Sequence, residues 1–224
     1  MATAAHSASS PRRKLLLAAL AITLSASAGM AIAATTDAQF QSAFQTFQAA
    51  QKGDEAAVER AAEQFNELLK ADPGQPMLMA YAGAATALKA KATMLPWKKM
   101  SHAEDGLAMI DKALALLQPV HDTTLLNRTP VSLQTRFTAA NTFLGMPSMF
   151  NRGTRGAKLL AEVQNSSLLP QATPGFQGAV LMRAAELAAK EFRTADARRD
   201  LTDVIQRGLP QAEAAKAQLA GLPQ

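Results

Sequence analysis

The chain has 224 residues, 23 basic and 18 acidic, with 5% aromatics and no cysteine. The absence of cysteine excludes disulfides, thiol chemistry and a lipid anchor on cysteine, and an alanine-rich, aromatic-poor composition favours closely packed helices over sheets. Arg12, Arg13 and Lys14 supply three of the five net positive charges, so the remainder is near neutral and nucleic acid is not an expected partner.

Those three basic residues open a run, Leu15 to Leu24, that is strongly apolar and closes on the small-residue triplet Ala31, Ile32 and Ala33. Basic start, short apolar middle and small-residue end are the layout of a secretory signal peptide. The apolar stretch is shorter than the roughly 20 residues of a spanning helix. Cleavage is therefore expected between Ala33 and Ala34, with no stable membrane span afterwards. This predicts a signal peptide over 1–33, a single helical domain over 34–224, and a periplasmic or secreted protein.

Beyond Ala34 the apolar spacing is helical almost throughout. Phe40, Phe44 and Phe47, then Val58, Ala62, Phe65 and Leu69, read as a helical hairpin turning at Gly53, with Asp54 capping the second helix. Asp72, Pro73 and Gly74 stop it. A second pair begins at Pro76, with Leu78, Ala82, Ala85 and Leu88 on one face and Ala80, Gly83 and Ala84 small enough for helix contact. Its partner is expected to start at Ser101, which forms a capping box with Glu104, and to bury Leu107, Ile110, Leu114 and Leu117. Between the two lies a connection, Met94 to Met100, with the only tryptophan, Trp97.

A third pair is predicted to open on Thr129 as cap and Pro130 as first helical residue, with Leu133, Phe137, Ala140 and Leu144 buried. A short helix with Ala157, Leu160 and Val163 follows. Thr173 and Pro174 then start the next helix, which runs to about Phe192. Thr194 caps another with Leu201, Val204 and Ile205 inside; Gly208 and Pro210 end it before an alanine-rich terminal helix. The expected fold class is all-α, built of stacked antiparallel helical hairpins, about three to four pairs.

Residues 49–73, AAQKGDEAAVERAAEQFNELLKADP, and the pairing of AYAGAATAL (80–88) with GLAMIDKALALL (106–117) carry a resemblance. The sequence here resembles a tetratricopeptide-repeat protein. Gly83 matches the family's glycine at the helix contact, Ala113 its alanine in the second helix, and Pro73 its closing proline. The first unit is about three residues too long for the family's period, and the third and fourth pairs keep only the hairpin pattern. The resemblance implies a right-handed array that binds protein or peptide partners.

Short catalytic signatures are missing from the sequence, and no enzyme activity or cofactor is expected. His102 and His121 read as loop-proximal histidines. Glu104 and Asp105 belong to a helix start, and Asp111 with Lys112 to a solvated face. The basic residues Arg193, Arg198, Arg199 and Arg207 alternate with Asp196, Asp200 and Asp203, as on a salt-bridged surface. Met94, Trp97, Met100 and His102 offer soft sulfur, an aromatic face and an imidazole, a set suited to Cu(I). The expected function is an exported binding or scaffold protein for a protein or peptide, with Trp97, Lys98, Lys99 and Met100 as the partner-binding residues; the alternative is a periplasmic metal or small-solute carrier using the Met94–His102 connection.

Overall fold

The computed structural model describes residues 37–223; the expected signal peptide and the cut before Ala34 lie outside the described residues. Ten α-helices occupy most of that span, in the order α1 (37–51), α2 (Glu55–Ala71), α3 (Pro76–Ala92), α4 (Pro96–Ala115), α5 (Val120–Thr123), α6 (Val131–Gly145), α7 (Gly153–Gln164), α8 (Pro174–Lys190), α9 (Thr194–Gln206) and α10 (Ala212–Ala220). The chain divides into two units, Met1–Gln41 and Ser42–Gln224, a boundary inside α1 where a single domain over 34–224 is expected. Of the first unit, residues 37–41 are described and helical. The second holds the rest of α1 and all later elements.

Local chemistry places several helix ends where the sequence predicts them. Gly53 turns the chain with φ +101°, a conformation that costs a residue without Cβ little. Asp54 caps α2 by accepting from the Ala57 amide. Thr173 caps α8 in the same way, from Phe176, with Pro174 at the first helical position. Gly208, at φ +60°, ends α9.

Two starts differ from expectation. Helix α4 begins at Pro96, five residues before Ser101. Proline needs no amide partner and has the φ of a first helical residue, so it nucleates the helix ahead of the Ser–Glu pattern. Ser101 is interior, and its hydroxyl donates to Asp105 Oδ2 at 3.1 Å instead of capping. Helix α6 begins at Val131, because Thr129 and Pro130 pair with Leu125 and Leu126 in a two-residue hairpin. Its turn residues Asn127 and Arg128 both have positive φ, which fits a primed turn.

Consecutive helices pack as hairpins: α3 with α4, α6 with α7, and α8 with α9, while α3 also lies against α2 and α6, and α7 against α8. Helix α3 is buried nearly all round, from Pro76 to Ala85, and not along one stripe. It crosses α4 at backbone contact, since a Cβ on Gly83 would lie 2.7 Å from the Gly106 carbonyl oxygen and one on Gly106 2.5 Å from that of Gly83. A ring cluster fills the space beside it. Phe65 stacks on Tyr81 at 5.0 Å between centroids, and Phe47 meets both edge-on. Of the residues expected in the core, Phe47, Phe65, Ala82, Ile110, Leu133 and Ala140 are buried. Phe44, Leu114, Phe137 and Leu144 are only half-buried; Phe143, one position before Leu144, takes the buried place on α6.

Two buried glutamines fasten loops to the helices that follow them. Gln134 on α6 donates to the Leu126 and Thr129 carbonyls, and Gln177 on α8 to those of Pro170 and Ala172. Each supplies donors to two carbonyls of the segment just before its own helix, which burial demands.

Candidate binding surface

Pro96 makes the expected connection into helix. The turn between α3 and α4 is only residues 93–95, and Trp97, Lys98, Lys99 and Met100 form the first turns of α4. Every residue from 94 to 101 is exposed; the first buried one is Ala103. The Gly83–Gly106 crossing clamps α4 further along, so its start stands clear as a helical spur. Met94 is 86% exposed and Trp97 67%, with Leu95 and Met100 also outside the core. Trp97 therefore stands outside the core of the hairpin.

The spur is basic as well as apolar. From Asp72 to Glu104 the chain has no acidic residue between, but has Lys89, Lys91, Lys98 and Lys99. Lys89 is paired with Glu59 of α2 at 2.7 Å. Lys91, Lys98 and Lys99 make no ion pair among the described residues.

Within the soft-metal set, helix formation separates Met100 from His102. Met100 and His102 project about 200° apart around a helix at 100° per residue, so α4 directs sulfur and imidazole to opposite sides. His102 is half-buried in the second turn of α4, while His121 lies in α5, where its Nδ1 accepts from the Gln118 amide at 2.9 Å. About 20 Å of helix, at 1.5 Å per residue, runs between them.

Asp111 is not a solvated face. It is held by Arg152 in a two-pronged pair, at 2.8 and 3.2 Å, and by Arg155, both from the start of α7. Both guanidinium groups lie 5.2 Å from the Phe143 ring centre on α6, so the ion pairs tie α4 to the start of α7 while the cation–π contacts tie that start to α6. A separation of some forty residues hides this cluster from a reading by local spacing. On α9 the alternating charges do form a network, with Arg193 and Arg199 both on Asp196, and Arg199 also on Asp200. Hydrogen bonding from Arg193 is the main reason that the Asp196 carboxyl sits below its ordinary range. On α8, burial alone would raise Glu186, but hydrogen bonds from Lys190 and Arg183 outweigh it and hold the carboxyl low.

An open depression of about 420 Å³ lies elsewhere, lined among others by Asp122, Leu133, Arg136, Glu162, Ser166 and Leu168. Among the described residues no three or more His, Cys, Asp or Glu side chains gather as a metal site, and no helix is long and apolar enough to cross a membrane. Comparison with protein families, curated proteins and solved structures found no match to the chain.

Proposed function

We propose that this chain is an exported binding and scaffold protein, a tetratricopeptide-like stack of hairpins that carries a protein or peptide partner and is fastened in place by the spur. The observation that carries the reading is the spur itself: eight consecutive exposed residues, apolar and basic, that the packing of the array does not use. Exposed tryptophan and methionine beside lysine, unused by the array's own packing, suit attachment to another surface. The glycine crossing at Gly83 and the buried Ala113 support the repeat reading. The open depression lined by Asp122, Arg136 and Glu162 supports a partner site away from the spur.

Passing an envelope extract over the immobilised protein tests this. A specifically retained protein, released when Arg136→Glu alters the depression but still held by Trp97→Ala, is the expected result. Release by Trp97→Ala instead puts the partner on the spur, and no retained protein overturns the scaffold reading.

A further inference from the structure

The spur's chemistry specifies what it fastens to. Four large apolar side chains, Met94, Leu95, Trp97 and Met100, are exposed within seven residues. Single exposed apolar residues are ordinary, but a cluster this dense on a projection is not. Trp97 and Met100, three residues apart, share one side of the helix, and Met94 and Leu95 immediately precede its first residue, so the exposed apolar side chains gather at the start of α4. Lys91, Lys98 and Lys99, free of ion pairs among the described residues, flank the apolar end. With no carboxylate in the chain between Asp72 and Glu104, the local charge is complementary to an anionic surface.

We propose that the spur docks the protein on an anionic phospholipid bilayer, with Trp97, Met94 and Met100 entering the interfacial layer and Lys91, Lys98 and Lys99 meeting lipid phosphates. Tryptophan prefers that layer because its ring is apolar and its N–H polar. Basic residues beside it add an attraction that salt weakens. The proposal rests on the scaffold reading and names the surface to which the scaffold is fastened; it requires no membrane-spanning helix.

The chain's single tryptophan makes Trp97 its own probe. The protein recovered from cells in its processed form is mixed with phosphatidylglycerol-containing vesicles, or with phosphatidylcholine vesicles, and compared with variants prepared identically. The expected result is a blue shift of Trp97 emission and quenching by brominated lipid on the anionic vesicles, both reduced by salt. Lys98→Gln with Lys99→Gln should weaken vesicle binding about 25-fold, from about fivefold for each lysine near an anionic surface. Met94→Ser with Met100→Ser should weaken it while leaving the melting temperature unchanged. No vesicle binding at low salt overturns the proposal, as does binding that leaves Trp97 unquenched and is indifferent to these variants. Trp97 shielding that needs no lipid and depends on protein concentration overturns it in favour of a second copy of the chain. Shielding by an acidic peptide but not by vesicles overturns it in favour of a protein partner. Extract capture that survives while vesicle binding fails removes the lipid surface and leaves the scaffold; the reverse result removes the scaffold.

Discussion

Tyr81, the only tyrosine, shows what burial does to a single polar group. It is 7% exposed, and desolvation pushes its phenol from 10.0 up to about 12, partly offset by a hydrogen bond with Thr138 of α6. A raised pKa means that the fold favours the neutral form. The stabilisation is fully present below pH 10 and is lost as pH rises from 10 to about 12, amounting to roughly 3 kcal/mol at 1.36 kcal/mol per unit. Tyrosinate absorbance should rise together with loss of helix signal in that window, and Tyr81→Phe should remove the coincidence. Phe192 is the opposite case. It ends α8 at φ +59° and is 93% exposed, so a bulky side chain stands where glycine is favoured. Phe192→Gly should therefore stabilise the protein, by about 1 kcal/mol from relief of the left-handed conformation, seen as a higher melting temperature. Phe143 and Phe137 separate burial from mere helical spacing: Phe143→Ala should cost about 3 to 5 kcal/mol in urea unfolding, and Phe137→Ala clearly less.

At the scale of elements, α4 decides the fate of the candidate surface. Ser101 and Glu104 have the spacing of a capping box, yet the same spacing occurs inside any helix, and Pro96 supplies the stronger start. Moving the start by five residues converts the expected connection into a helical spur. Trp97→Ala should accordingly change stability by less than about 0.5 kcal/mol, as for surface substitutions, with an unaltered urea midpoint. A marked destabilisation would mean that Trp97 packs on the hairpin after all. The candidate residues Trp97 to Met100 were legible as a group because their chemistry is contiguous. Their exposure was not, since it depends on where the α3–α4 crossing clamps the helix.

For the whole molecule, residues 34–224 read as one helical array, and the array is present in the second unit with hairpins packed in chain order. The cut expected after Ala33 is a separate matter for measurement: mass spectrometry of protein from a periplasmic fraction should give an N-terminus at Ala34 or within a residue or two. An intact N-terminus recovered from the cytoplasm would overturn export. What joins one hairpin to the next was not legible. The Asp111 cluster with Arg152 and Arg155, the Gln164 bond to Asp200, and the Tyr81 bond to Thr138 all span distant residues, and local periodicity carries no signal for such pairs.

The sequence by itself determined the helical class, the order of the hairpins and most of the turns, because glycine, proline and capping side chains act on backbone groups within a few residues of themselves. Only the tertiary structure decided which helix is central, which phenylalanine of α6 faces inward, and that the tryptophan stands in the open. Those outcomes depend on how closely two helices approach, and at Gly83 and Gly106 that approach is set by the absence of a Cβ on both sides of one crossing.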